Sequence, residues 1–163
     1  MRATKAKKES GKSGKKGKSR KGALYAPKSS TVVAGRFIDS GDGTITDLKT
    51  RLMWAKESNS IGCYCGKKMT WNDAVKYAKS LSSAGYSDWR LPEIEELISI
   101  VDYSKLDPAI HEVFLSTPNG YFWTSTVFKS DTRGVWVVGF DTGRVNGDDK
   151  SEFFYLRCVR NIK

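Results

Sequence analysis

The net positive charge of this 163-residue chain lies entirely at its N-terminal end. Residues 1–30 hold eleven Lys and Arg and one acid, whereas residues 31–163 hold equal numbers of cations and anions, so the first segment carries the whole net charge of +10. A Lys/Gly/Ser-rich segment without apolar periodicity cannot bury enough surface to offset the entropy lost on ordering. The chain is therefore predicted to combine a disordered basic tail, residues 1–31, with one folded domain, residues 32–163.

The tail has the composition of a polyanion-binding arm. Clustered Lys and Arg release counterions from phosphate or sulfate polymers, which gives an affinity that depends strongly on salt and little on sequence. The predicted partners of the tail are therefore sulfated glycan, RNA or DNA. An inert, solubilising tail is the alternative. The residues assigned to polyanion binding are Lys5, Lys7, Lys8, Lys12, Lys15, Lys16, Lys18, Arg20 and Lys21.

Hydrophobic periodicity in the second part of the chain predicts an α+β fold. The stretch RFIDSGDGTITDLKTRLMW predicts a β-hairpin with a Ser-Gly-Asp-Gly turn and with Phe37, Ile45 and Leu48 as its apolar positions. Three later stretches, YFWTSTVF, GVWVVGFDTGRV and EFFYLRCVR, are rich in β-branched and aromatic residues and predict a meander. The expected architecture is two helices packed on a mostly antiparallel sheet.

The helices are predicted from their caps as well as from their apolar stripes. In TWNDAVKYAKSLSSAG, Thr70 caps the start of the first helix and Gly85 lies where a left-handed C-cap belongs. Pro92 opens the second helix, which buries Ile94, Leu97, Ile98 and Val101. A third, short helix is expected at DPAIHEVF.

The cysteines and the lengths of the apolar runs indicate the cellular compartment in which the protein is expected. Cys63 and Cys65 are too close to pair with each other, so a disulfide would join Cys63 or Cys65 to Cys158 and leave one thiol free. In the cytoplasm all three would be reduced. No apolar run reaches the ~20 residues that span a bilayer, and no signal-type apolar stretch follows the basic N-terminus. Cytoplasmic localisation is therefore the default expectation.

Catalytic and metal-binding signatures are missing from the sequence. His111 is the sole histidine, no Cys-x-x-Cys pair is present, and no nucleophile elbow is found. A reactive thiol in GCYCGKK, beside Lys67 and Lys68, is the one enzymatic hypothesis, and a flexible loop explains that stretch equally well. We therefore expect no catalytic activity, no bound metal and no cofactor.

The stretch GYSDWRLPEIEEL concentrates aromatic and charged residues at a helix entrance. The favoured interpretation is a structural corner, with Trp89 in the core and Arg90 paired with Asp88. The alternative is a ligand site. The ligand-binding candidates, taken from this stretch and from the β-rich region, are Trp89, Arg90, Trp123, Trp136 and Arg144.

Six segments in order also resemble a known bacterial family. They are FIDSGDGTITDLKTRLMW, TWNDAVKYAKSL, GYSDWRLPEIEEL, YFWTST, VWVVGFDTGRV and YLRCVR. Over about residues 36–160 the chain resembles the Lcl C-terminal domain family, which is named for a collagen-like adhesin and was long carried as a domain of unknown function. The tail is not covered by the resemblance.

The resemblance implies a C-type-lectin-like scaffold whose loops present a binding surface. In the named adhesin the domain is associated with trimers and with sulfated glycosaminoglycan, which implies a homo-oligomer and a cell-surface or extracellular location. This chain departs from the family in two ways. Ala78 stands near where relatives often have a cysteine that could pair with the cysteine of RCVR, and the basic leader replaces the usual signal sequence.

Taken together, the sequence predicts a non-catalytic binding module that recognises glycan or protein surfaces, with a basic arm for polyanions. The alternative is an accessory component of a large nucleoprotein or multiprotein assembly, in which the tail threads between phosphates.

Overall fold

The computed structural model describes residues 30–33, 35–114 and 116–162. The nine cations assigned to polyanion binding lie outside these described residues.

The first sheet contains five antiparallel strands in the spatial order β1-β2-β3-β4-β8. Its turn between β2 and β3 is held by carboxylates, because Asp39 accepts the N–H of Gly41 at 2.9 Å and Asp42 accepts the N–H of Thr44 at 3.0 Å. The predicted hairpin is therefore confirmed. The strands are β1 Thr31–Val33, β2 Phe37–Asp39, β3 Thr44–Asp47, β4 Leu52–Ala55 and β8 Val159–Asn161.

Leu48 does not occupy the apolar strand position predicted for it. Strand β3 ends at Asp47, and Leu48 lies in the following turn with 51% of its surface exposed. The buried residues at this end of the sheet are instead Leu52 and Trp54 on β4.

The second sheet contains three antiparallel strands in the order β5-β6-β7. They are β5 Tyr121–Val127, β6 Gly134–Gly139 and β7 Arg144–Asp149. The predicted α+β class is confirmed, although the strands form two sheets rather than one. The likeness to C-type lectins stays a prediction.

Helix α1, Trp71–Ser80, forms where the sequence predicts it, and Thr70 caps it by accepting the N–H of Asp73. Gly85 is not its C-cap, because the helix ends at Ser80 and Gly85 lies in a separate turn closed by hydrogen bonds between Ser83 and Tyr86. Helix α2, Ile94–Ile98, is shorter than predicted and begins with a reciprocal capping box between Glu93 and Glu96.

The third predicted helix, at DPAIHEVF, is wrong. Ile110 forms an isolated antiparallel bridge with Val101, and the Ala109 N–H donates to Phe140 O at 2.7 Å. These bonds to distant residues engage the backbone groups that a helix would use within the segment.

Two hydrophobic clusters share the central strand β4. Leu52 and Trp54 enter a cluster between the first sheet, α2 and one face of the second sheet, whereas Met53 points into the other cluster. That second cluster contains α1, the corner before α2 and the opposite face of β6. Both faces of β4 are thus buried, which joins the two clusters into one body.

Candidate binding surface

Trp89 and Trp123, two of the five ligand-binding candidates, lie in the core. Trp89 is 3% exposed and donates its indole N–H to Ser83 O at 3.2 Å. Trp123 is 0% exposed and donates to Met69 O at 2.8 Å. Neither ring has a face available for stacking on a ligand, and both indole N–H groups have partners within the protein.

Arg90 is held by an ion pair, but its partner is not the predicted Asp88. Its guanidinium makes two hydrogen bonds with the Glu96 carboxylate, at 2.6 and 2.7 Å. Glu96 also accepts the N–H of Glu93 at 2.7 Å, so the same carboxylate caps α2. Arg90 therefore fixes the entrance to the helix.

The predicted pair between Arg90 and Asp88 is wrong because Asp88 pairs with Arg160 on β8, at 2.6 Å. The Arg160 guanidinium also lies 3.8 Å from the centre of the Tyr86 ring. The backbone of Arg90 is hydrogen-bonded to Val159, which brings β8 beside the corner and places Arg160 near Asp88. The stretch that the sequence marks for aromatic and charged residues is thus a structural corner locked onto the first sheet.

Trp136 and Arg144, the remaining candidates, lie on opposite faces of the second sheet. Trp136 is paired across the strands with Gly147, whereas Arg144 is paired with Gly139. Residues three apart on β6 point to opposite faces, because side chains alternate along a strand. Trp136 is half-buried and Arg144 is exposed.

Phe128 completes an aromatic surface with Trp136. The two ring centres are 4.8 Å apart and nearly perpendicular. Phe128 lies directly on Gly134 and Gly147, and a Cβ on either glycine would come within 2.0 Å of its ring. We call Phe128, Trp136 and the neighbouring Val145, which is 38% exposed, the aromatic surface.

Phe128 is not among the ligand-binding candidates chosen from the sequence, although a glycine in the sequence indicates that some group packs closely at this position. Gly147 interrupts the strand pattern of GRVNGDD, and a glycine inside a strand marks a close approach by another group. The sequence does not say which group approaches.

A shallow cavity opens beside the aromatic surface, and a second cavity adjoins the first. One, of about 350 Å³, has Phe128 in its wall together with Gly134, Gly147 and three aspartates. The other, of about 460 Å³, shares Arg133 and Asp149 with the first. The remaining residues that line the two cavities are Asp131, Asp148, Thr70, Asn72, Thr132, Lys150 and Ser151.

Two carboxylates of these cavities, Asp131 and Asp149, are held in their charged form. The Arg133 guanidinium lowers the pKa of Asp131 by hydrogen bonds to both carboxylate oxygens, at 3.2 and 3.0 Å. The Ser151 N–H lowers the pKa of Asp149 in the same way, by a hydrogen bond of 2.8 Å. The site therefore offers fixed acceptors, and its aspartates outnumber the arginine within the smaller cavity.

Comparison with known protein families identifies the chain. Residues 43–160 match the model of the Lcl C-terminal domain. The chain belongs to that family. This is an adhesin-like domain, which indicates binding to surfaces. No curated protein matches the chain. Within the described part of the chain, no helix has the length and apolar character needed to span a membrane.

The thiols of this Lcl C-terminal domain differ in exposure. Cys63 and Cys158 are buried, Cys65 is exposed, and all three are free. Burial raises the pKa of Cys63 and of Cys158, against the opposing effect of the nearby Arg157 guanidinium. The buried pair therefore consists of protonated thiols at neutral pH.

The other polar groups considered for chemistry are engaged in packing. His111 accepts the N–H of Val113 through Nδ1, at 3.2 Å, and its ring centre lies 4.7 Å from that of Phe37. Among the residues that the structure describes, no cluster of His, Cys, Asp and Glu has the arrangement of a metal site.

Proposed function

We propose that this Lcl C-terminal domain is a non-catalytic module that binds glycan on surfaces through the aromatic surface and the two adjoining cavities. The observation that carries the proposal is the pairing of a half-buried Trp136 and a fixed Phe128 ring with fixed polar acceptors. A sugar ring has C–H groups on its faces and hydroxyls around its edge. Aromatic rings pack against the C–H groups of the sugar faces, and carboxylates and hydroxyls form hydrogen bonds with the sugar hydroxyls.

The charge of the smaller cavity favours a neutral glycan over a sulfated one. Among the described residues, Asp131, Asp148 and Asp149 line the smaller cavity against a single cation, Arg133, which is already paired with Asp131. A sulfate group would face uncompensated carboxylates there, whereas a hydroxyl would find acceptors. We therefore assign neutral glycan to the smaller cavity and polyanions to the basic tail.

The state of the two buried thiols and of the histidine supports a non-catalytic role. Protonated, buried Cys63 and Cys158 are poor nucleophiles. The ring of His111 packs against Phe37 and is not hydrogen-bonded to any thiol or hydroxyl within the described residues. An accessory role in a nucleoprotein or multiprotein assembly is not proposed, because no specific feature of the described residues favours it.

A glycan array tests the domain. We expect the full chain and residues 30–163 to bind the same neutral glycans, and Trp136→Ala and Phe128→Ala to lose roughly tenfold or more in affinity, since aromatic contacts dominate such sites. Tyr103→Ala is the matched control, because Tyr103 is an aromatic residue with 67% exposure outside the aromatic surface. Binding that survives both aromatic changes, or silence across all neutral glycans, would refute the assignment.

Heparin and RNA test the tail separately. Removing residues 1–29 should abolish binding to both polymers, and binding of the full chain should fall steeply between about 50 and 200 mM salt. Polyanion binding that persists in the truncated chain would place the polyanion site on the domain instead.

A further inference from the structure

Among the described strands of both sheets, only β7 has an open edge that is long enough to pair with another strand. The free edge of β8 is closed by Arg90, and the outer edge of β5 by Tyr155. Strand β1, at the other edge of the first sheet, has only three residues. Strand β7 has six residues, and β6 is its only partner among the strands that the structure describes. Long uncovered edges present unpaired backbone groups that favour strand addition.

The hydrogen-bond pattern shows which groups of β7 face outward. The Lys150 N–H donates to Arg133 O at 3.1 Å, which makes residues 150 and 133 a hydrogen-bonded pair of the β6–β7 ladder. Bonded and non-bonded pairs alternate in such a ladder. Residues 144, 146 and 148 therefore bond to β6, and the N–H and C=O groups of residues 145, 147 and 149 point away from it.

Only the first two of these outward residues are open. Asp149 is closed locally, because its C=O accepts the N–H of Glu152 at 3.1 Å and its N–H donates to the Asp148 carboxylate at 3.0 Å. For Val145 and Gly147, no hydrogen bond from any residue that the structure describes reaches the outward backbone groups. The open edge is thus confined to the middle of β7.

This edge is complementary to itself. When two copies of β7 run antiparallel about a two-fold axis at Asn146, Val145 lies opposite the partner's Gly147, and these two residues can exchange both backbone hydrogen bonds. Arg144 then lies opposite the partner's Asp148 on the same face. Both contacts occur twice by symmetry.

The charges support this register over a neighbouring one. Arg144 and Asp148 are roughly 13 Å apart along one strand, and neither has an ion-pair partner within the described part of its own chain. Opposite charges across strands stabilise a pair, and like charges destabilise it. A shift of the register by two residues would place Arg144 opposite the partner's Lys150.

We propose that two copies of this domain associate by antiparallel pairing of their β7 strands, centred on Asn146. The pairing joins the two three-stranded sheets into one. It also brings Val145 beside the partner's Gly147, on which the partner's Phe128 lies. The aromatic surfaces of the two copies then become continuous. The pairing does not depend on the glycan proposal.

Charge reversal in the full chain tests the pairing. Sedimentation velocity from about 10 μM to 1 mM at physiological salt should detect a weak dimer, since the edge buries less than a standard interface. Arg144→Asp or Asp148→Arg should each weaken it by roughly tenfold or more, because like charges then face each other twice. The double variant Arg144→Asp/Asp148→Arg should restore the dimer. Lys76→Glu, an exposed reversal on α1, is the control and should have no effect.

Amide hydrogen exchange tests the backbone pairing of β7 directly, independently of the charged side chains. In the dimer, the N–H groups of Val145 and Gly147 should become protected as concentration rises, while that of Asp149 should not change. A chain that stays monomeric to 1 mM would overturn the proposal. So would a trimer, or a dimer that ignores both single reversals or is not restored by the double variant.

Discussion

Arg157 is a fully buried cation whose guanidinium has no carboxylate partner among the described residues. Burial lowers the pKa of its guanidinium. Its charge is instead distributed over neutral acceptors, and the guanidinium lies 5.2 Å from the ring centre of Phe114. The acceptors, at 2.6 to 2.9 Å, are the backbone oxygens of Ala55 and Lys56 and the hydroxyls of Ser58 and Thr117.

Arg157→Lys should therefore cost far more stability than the same change at the surface. The ammonium group of a lysine cannot reach all four acceptors that surround the planar guanidinium, so some buried acceptors would be left without a hydrogen-bond donor. We expect a loss of about 2–4 kcal/mol in the free energy of unfolding, measured by urea denaturation. Arg133→Lys, at an exposed ion pair, is the control and should leave the free energy of unfolding nearly unchanged. Equal losses at the two positions would contradict this role for Arg157.

Acid should destabilise the domain through Glu96 and Asp47. Burial raises the pKa of both carboxyls, but hydrogen bonds from Arg90 to Glu96 and from Arg36 to Asp47 outweigh it, so both lie below their ordinary values of 4.5 and 3.8. Carboxyls with depressed pKa values stabilise the fold above their ordinary values and lose that contribution as the pH falls through the folded-state values.

We expect the urea midpoint to fall as the pH drops below about 4.5. Glu96→Gln should lower stability at pH 7 and flatten the dependence below that pH. Glu152→Gln, at an exposed carboxyl, should leave the profile unchanged. A Glu96→Gln profile that is parallel to that of the parent chain would exclude this residue as a source of the pH dependence.

At the scale of elements, two glycines determine where Phe128 lies. Gly134 and Gly147 stand on adjacent strands, and the ring covers both. Any side chain there would displace the ring and with it one wall of the smaller cavity. The aromatic surface is therefore a product of strand register, since only the pairing of β6 with β7 places these glycines under one ring.

A double-mutant cycle measures this contact. Gly147→Ala should cost about 1–3 kcal/mol in the parent chain, because its Cβ would lie 2.0 Å from Phe128 Cζ. In a Phe128→Ala background the same change should be neutral or stabilising, since alanine loses less entropy on folding than glycine. Additive effects of the two changes, measured by urea unfolding, would contradict the contact.

The elements that sequence predicted well are those whose signals are local. The cap of α1 at Thr70 and the Asp-Gly turn between β2 and β3 depend on neighbours in the chain. The segment around Ile110 was predicted as a helix because its local pattern fits one. In the structure, Ile110 forms a β-bridge with Val101, and Ala109 donates a hydrogen bond to Phe140. These partners are distant in sequence or lie on separate elements, so no local sequence pattern indicates the contacts.

At the scale of the whole molecule, the shared strand β4 predicts cooperative unfolding. Met53 contributes to one cluster and Trp54 to the other, so neither cluster can lose β4 without the other. We expect tryptophan fluorescence and far-UV circular dichroism to report the same urea midpoint. Removal of residues 1–29 should change the free energy of unfolding by less than about 0.5 kcal/mol. Separate midpoints, or a large loss on truncation, would show that the domain is not one independent unit.

The sequence by itself determined the charge asymmetry, the α+β class, the first helix, the hairpin and the family resemblance, because composition, periodicity and caps act over a few neighbouring residues. Only the tertiary structure decided which aromatic residues are core. Trp89 and Trp123 are buried while Trp136 is half-exposed, and Arg90 pairs with Glu96 rather than Asp88. The reason is physical: burial and pairing depend on which distant strands meet, and side chains with identical local preferences end on opposite sides of a sheet according to register.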